Sequence, residues 1–255
     1  MPAHPSLNAR RALVGAALTA VGGFVDCFSY LTLSQVYTAT MSGNTVLVAV
    51  HSGKGEGSAA LVHAFTIGVF VLGLLVSSIA IELGLRRGIR RVLALALAVE
   101  AACLAAFALW GAGWAASGLH GTTLRPHWPL YVLIALTAIA MGTQNTSLRM
   151  AGILAIFTTH VTGTLTRFGE QFVDYLLRAP GTCSRERMAE AGFSAGLWLA
   201  FLLGALLAAE LLPRLGPAIA LALPIGMLLL VIAADLLQPF ANIDRAASSP
   251  HSPAA

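Results

Sequence analysis

VYTATMSGNTVLVAV, residues Val36 to Val50, is a cluster of small hydroxyl residues around one glycine, set in an otherwise apolar chain. Its pattern returns 120 residues later in IFTTHVTGTLT, Ile156 to Thr166. An ungapped shift pairs Tyr37 with Phe157, Thr38 with Thr158, Ser42 with Thr162 and Gly43 with Gly163, and it pairs Gly22 with Gly142 upstream. The surroundings decide what the interruption means. The chain is 57% hydrophobic and 10% charged, against about 25% charged in soluble domains, and its mean hydropathy is +0.80. This is the composition of an integral membrane protein. In hydrocarbon, unpaired backbone groups have no water to bond, so an irregular segment is tolerated only against protein or a wet cavity. The repeated interruption is therefore the candidate site.

Working outward, apolar runs of the roughly 20 residues that cross a bilayer occur at Ala12 to Leu33, Ser58 to Gly84, Val92 to Trp114, Pro129 to Leu148, Gly192 to Leu212 and Pro217 to Leu237. Arg10 and Arg11 precede the first run as in a secretory signal, but the run is long and has no small-residue cleavage site, which predicts a retained span. The expected organisation is a single all-helical membrane domain over residues 1–240, with one repeat at about 12–114 and the other at about 129–237. Residues 241–255, rich in Ala, Ser and Pro, predict a disordered tail. The two motif segments fall between spans and read as half-helices.

Positive charge tests the topology, because cytoplasmic loops accumulate Lys and Arg. Six spans with both termini cytoplasmic place 12 of the 15 basic residues inside, leaving Lys54, Arg125 and Arg214 outside. Eight spans, with both motif segments crossing, give 9 inside and 6 outside. Six is preferred. A three-span repeat is odd, so the second copy enters from the opposite side and the repeats are inverted, an architecture common among secondary transporters. The eight-span alternative makes them parallel.

Within the spans, polar residues stand out. Asp26 lies two-thirds along the first run, and an ionisable group at such depth usually faces a partner or a cavity. It reads as a protonatable or cation-binding carboxylate, or else as a structural hydrogen-bonding group. Glu100 in the third run carries the same pair of readings. Glu82 and Asp235, near run ends, are expected to meet headgroups. Thr38, Thr40, Ser42, Gly43, Asn44 and Thr45 offer hydroxyl and amide groups around a glycine. If Gly43 breaks a helix, freed backbone groups can coordinate a solute; the alternative is close helix packing. The second half supplies Gln144 and Asn145, then Thr158, Thr159, His160, Thr162, Gly163 and Thr164. His160 replaces Thr40 and can titrate near neutral pH. Gly192 and Gly196 form a GxxxG that predicts close helix contact within the fold or between protomers of a homo-oligomer.

Other classes find no support. Cys27, Cys103 and Cys183 are odd in number without metal spacing. No metal-ligand set, phosphate-binding glycine loop or nucleophile-and-base spacing appears, so neither metal, cofactor nor enzymatic activity is expected. The net charge of +4 comes without a basic patch interleaved with aromatics, which argues against nucleic acid. Arg86, Arg87, Arg90 and Arg91 read as a headgroup-facing cluster on the lipid bilayer.

The chain resembles the YoaK-like family of bacterial membrane proteins, the domain-of-unknown-function 1275 group. The match is carried by Gly23, Val25 and Asp26 ahead of Val36, Thr40, Met41, Ser42, Gly43, Asn44 and Thr45. It continues in Gly142, Gln144 and Asn145 ahead of Thr158, Thr159, Val161, Thr162, Gly163, Thr164 and Leu165. It covers about Arg10 to Leu237 and implies a multi-pass protein of the bacterial inner membrane, without implying a substrate. The functional expectation therefore rests on the inverted repeat and the intramembrane polar groups. It is a secondary transporter of a small solute with a coupling proton or cation at Asp26; the alternatives are a non-transporting scaffold and a membrane-embedded enzyme.

Overall fold

The computed structural model describes residues 9–89, 91–111, 113, 128–150, 161–177 and 183–237. The predicted tail at 241–255 lies outside them. Among the described residues the chain is helical and carries no strand. We label the helices α1 (Ala9–Thr32), α2 (Met41–Gly53), α3 (Gly57–Arg86), α4 (Val92–Ala106, continued by a π-helical turn over Phe107–Gly111), α5 (Trp128–Met150), α6 (Val161–Leu177), α7 (Cys183–Ala220) and α8 (Ala222–Leu237).

Four stretches are long and apolar enough to cross a membrane: Ala12–Thr32, Gly57–Arg86, Val92–Gly111 and Ala191–Ala220. They correspond to four of the six predicted runs. The other two are helical but weaker as spans. Helix α5 ends in the polar sequence Thr143, Gln144, Asn145, Thr146 and Ser147, which dilutes its hydropathy, and α8 is apolar but has 16 residues. A bend at Gly216, whose φ of 75° suits a residue without Cβ, separates α7 from the last run. Beyond it Leu221 N–H donates to the Pro217 carbonyl and Ile225 N–H to the Leu221 carbonyl, so helical bonding resumes at Pro217, where the last apolar run begins. The chain is thus a polytopic helical membrane protein.

The packing order interleaves the chain. Helix α1 lies chiefly against α7 and also against α8, whereas α5 lies against α3 and α4. The short helices pair locally, α2 on α3 and α6 on α7. The central layer is α1, α4, α5 and α8, whose Leu18, Val21, Leu97, Leu104, Met141 and Leu228 form one apolar cluster. A second cluster, around Phe24, Phe28, Phe107, Leu133 and Leu212, fills the end of the bundle where α1 finishes.

Glycine sets the two tightest crossings. A Cβ on Gly23 would collide with the Phe201 carbonyl of α7, and one on Gly204 with the Ala20 carbonyl of α1. Across the α3–α5 crossing, a Cβ on Gly142 would lie 2.5 Å from the Phe70 carbonyl oxygen and one on Gly73 2.9 Å from Ile139 Cα. Lipid tails are as apolar as leucine, so helix association relies on close backbone approach, which small residues allow. The expected close contact at Gly192 and Gly196 within the fold is not found. Both are exposed, with nothing within 4 Å of an added Cβ, because α7 meets α1 further along, at Phe201 and Gly204.

This yields a graded prediction for thermal unfolding in detergent micelles. Gly204→Ala should cost about 1–3 kcal/mol, as overpacking does, because the obstacle is backbone. Gly196→Ala should be neutral or mildly stabilising, since alanine is about 1 kcal/mol better than glycine in a helix.

Candidate functional site

The site begins where α1 stops. Leu33 N–H still bonds to the Ser29 carbonyl at 2.8 Å, and then Ser34 and Gln35 adopt left-handed backbone at φ 55° and 61°. Such residues cost about 1–3 kcal/mol each and persist only where surroundings hold them. The chain then doubles back along α1. Thr38 Oγ1 lies 3.0 Å from Ser29 Oγ. Ala39 N–H donates to Asp26 Oδ1 at 2.7 Å, Thr40 N–H reaches the same oxygen at 3.4 Å, and the Thr40 hydroxyl donates to Asp26 Oδ2 at 2.6 Å. Asp26 is buried, and both of its oxygens are engaged by the returning chain.

Asn44, one turn into α2, holds the other side of the link. Its Oδ1 accepts the Tyr37 N–H at 3.1 Å, and its Nδ2 donates to the Tyr37 carbonyl. His63 of α3 donates from Nδ1 to the same Oδ1 across 3.2 Å, since an amide oxygen can only accept. His51, in the last turn of α2, stacks on His63 with ring centroids 5.3 Å apart and planes within 8°. His51 Nδ1 also meets Glu56 Oε2 at 2.6 Å. That hydrogen bond holds the exposed Glu56 carboxyl below its ordinary value. A lowered carboxylate favours the folded form above the ordinary carboxylate range and loses that contribution as pH falls through its folded value.

Gly43 does not break a helix. It lies in the first turn of α2, where a Cβ would come within 2.7 Å of the Tyr37 ring, so its smallness lets that ring lie over α2. Gly163 likewise lies within a helix, α6. The break is residues 33–40, ahead of the glycine, and the Ser42-Gly43-Asn44 triplet starts a helix, while Thr162, Gly163 and Thr164 are helical. Ser42, Thr162 and Gly163 are exposed, whereas Thr164 is buried. Thr158, Thr159 and His160 lie outside the described residues.

Deeper in the bundle Glu100 is fully buried on α4. Gln144 Nε2 of α5 donates to Glu100 Oε1 at 3.0 Å and to the Leu18 carbonyl of α1 at 3.1 Å, joining three helices. Asn145 is buried beside it, and Thr146 Oγ1 donates to the Gly142 carbonyl at 3.1 Å and the Leu74 carbonyl at 3.3 Å. The structure thus forms two polar groups, Asp26 with Thr38, Thr40 and Asn44, and Glu100 with Gln144. Leu18 precedes Asp26 by eight residues, about 12 Å of helix.

Asp235 departs from expectation. It does not meet headgroups but is fully buried, and Oδ2 accepts the Ala94 N–H at 3.2 Å in the first turn of α4, where backbone donors lack partners within the helix. Glu82 does lie at the surface, paired with Arg86 at 2.8 Å. Sequence reasoning also missed His51 and His63. Their signal is weak, since they stand twelve positions apart and only the α2–α3 turn brings them together. A cleft of about 300 Å³ between α3, α4 and α5, lined by residues such as Val76, Ala80, Val92, Ala96 and Ile139, is apolar; neither Asp26, Glu100 nor Gln144 lines it, although Val99 and Thr143, the chain neighbours of the last two, do. Among the described residues no cluster of three metal-ligating side chains occurs.

These features define a multi-pass helical membrane protein with polar residues buried along its central helices. The family model described as "Protein of unknown function (DUF1275)" matches residues 14–234, and the chain belongs to that family. It is 30% identical over 148 residues to the UPF0700 transmembrane protein YoaK of Bacillus subtilis (strain 168), covering 58% of this chain and 61% of that protein. The aligned region therefore spans less than two thirds of the relative's length. No solved structure matches the chain.

Asp26→Ala should leave the buried N–H of Ala39 without a partner and lower stability by about 1–3 kcal/mol, the cost of an unsatisfied buried donor. Asp26→Asn retains one acceptor oxygen and should lose less. Thermal unfolding of both variants in the same detergent tests the order, and equal loss would refute the bonding scheme.

Proposed function

We propose that the protein is a secondary transporter of a small solute, built from six spans as two inverted three-span halves and lodged in the bacterial inner membrane with both termini cytoplasmic. The observation that carries this reading is the reciprocity of the two glycine crossings. Gly23, at the first helix of one half, abuts the Phe201 carbonyl, and Gly142, at the first helix of the other, abuts the Phe70 carbonyl. The partners share a pattern, FVLG at Phe70 to Gly73 and FLLG at Phe201 to Gly204. A pseudo-twofold axis relating the halves accounts for contacts of this kind, and inverted-repeat transporters place their sites near the interface of the halves. The α1–α2 break, held by Asp26, fits a discontinuous helix of the type that lines such pathways. In this reading α2 and α6 are re-entrant segments, with Ser42 opening to one side of the membrane and Thr162 to the other.

A non-transporting scaffold is the second reading. It is favoured by the commitment of Asp26, Thr38 and Asn44 to internal bonds, which leaves them acting as structural fastenings.

Two measurements separate the readings. In a background carrying Cys27→Ala, Cys103→Ala and Cys183→Ala, the single variants Ser42→Cys and Thr162→Cys should react with a membrane-impermeant thiol reagent from opposite sides. Labelling from the same side would remove the inverted arrangement. Counterflow into proteoliposomes, run against a panel of small metabolites, should show exchange for at least one solute class with the native protein. Silence across the panel, from protein shown to be folded and inserted, would favour the scaffold.

A further inference from the structure

Helix α4 reads VLALALAVEAACLAA, and Glu100 is its one ionisable carboxyl. The residue has no exposed surface, and Leu97, Ala101 and Leu104 beside it belong to the central apolar cluster. Its only hydrogen-bonding partner among the described residues is Gln144. Both amide protons of Gln144 are spent, one on Glu100 Oε1 and one on the Leu18 carbonyl. The carbonyl can only accept, so it fixes the amide orientation: turning the amide over would set its oxygen against two acceptors. Two atoms are left over, Glu100 Oε2 and Gln144 Oε1, both buried and without partners. As a carboxylate and an amide oxygen they are both acceptors and cannot satisfy each other. Orphaned buried acceptors cost free energy, and a buried unpaired charge costs more.

One hydrogen resolves the mismatch. On Glu100 Oε2 it removes the charge and turns one of the two orphaned acceptors into a donor, the complement of Gln144 Oε1. A metal cation fits less well, because hard cations such as Ca²⁺ or Mg²⁺ take six or more oxygens, and the pair offers two unfilled ones. We propose that Glu100 and Gln144 form a buried proton-binding site, with the proton carried on Glu100 Oε2 and donated to Gln144 Oε1. Loading takes the proton from the aqueous phase and release returns it there. Other titratable groups near α4 are engaged or weakly placed to take over. Cys103 lies three residues along the same helix, Asp235 of α8 accepts from Ala94 N–H, and Asp26 of α1 is filled by Ala39 and Thr40. Among the described residues no ion pair reaches Glu100.

The site assigns a coupling ion to the transport reading and rests on that reading for this consequence alone. Through Gln144 the proton ties α4 to α5 and to α1. Losing it sets a buried negative charge against the Gln144 oxygen and loosens the contact among the three helices. Transport coupling thereby moves from Asp26, whose oxygens are filled, to Glu100, which keeps one free.

Infrared difference spectroscopy of the protein in lipid bilayers tests the site without any solute. The native protein should show a protonated-carboxyl stretch at neutral pH that shifts in D2O and disappears in Glu100→Gln, while persisting in Asp26→Asn and Asp235→Asn. Glu100→Gln keeps the size of the acid and an acceptor oxygen for Gln144 Nε2, so its fold, checked by monodispersity and thermal unfolding, should survive. Absence of the band from the native protein, or its persistence in folded Glu100→Gln, would overturn the proposal. Failure of counterflow would sink the transport reading and leave this result standing. Where counterflow is found, Glu100→Gln should retain it and lose accumulation driven by a proton gradient.

Discussion

A helix whose end is packed among buried residues, as α1 is at Thr32, Leu33, Val36, Thr38 and Ala39, leaves backbone N–H and C=O groups shielded from water, and the bonds around the α1–α2 break answer that constraint. Asp26 engages the amides of Ala39 and Thr40, and Asn44 engages both backbone groups of Tyr37. Thr40 occupies the N-cap position of α2, yet its hydroxyl is not used on that helix; it is turned toward Asp26 instead. The left-handed turn at Ser34 and Gln35 is affordable because these bonds hold the chain on either side of it. A carboxylate is the efficient group for this task, since two oxygens accept from several directions.

The second constraint is the absence of a hydrophobic drive between helices in lipid. The structure meets it with backbone-to-backbone contact at Gly23, Gly204, Gly73 and Gly142, so the two tightest crossings join segments distant in sequence. The central layer of α1, α4, α5 and α8 is then closed by leucine and alanine, with Glu100 and Gln144 sealed inside it. The polar groups are fixed in position by the same crossings that exclude lipid from them.

Much of this was legible in sequence. Four apolar runs became helices of membrane-crossing length, and Asp26, Asn44, Glu100 and Gln144 were each marked by polarity in an apolar context. What sequence could not supply was pairing. Glu100 and Gln144 stand 44 positions apart, and nothing in the sequence between them joins the two. His63 reaches Asn44 across 19 positions, a spacing with no periodic signature. Asp235 was misplaced because nearness to the end of a run says little about depth once another helix begins beside it. Gly192 and Gly196 matched a packing motif, but the face they occupy is open, and the partner backbone lies at Gly204. The glycine of the repeated motif admits two readings in sequence, a helix break or close packing, and at Gly43 it is the smallness that matters, accommodating the ring of Tyr37.

The interleaved packing carries a consequence for how the chain is made. Helix α1 emerges from the ribosome well before α7, its main partner, so the Gly23 contact waits for Phe201. Glu100 is likewise synthesised well before Gln144, so its carboxyl enters the lipid phase without its only described companion. Helices α1 and α4 therefore wait with polar groups and close contacts unassembled until α5 and α7 have been made. A chain halted after α4 lacks the α5 and α8 residues that close the central apolar cluster.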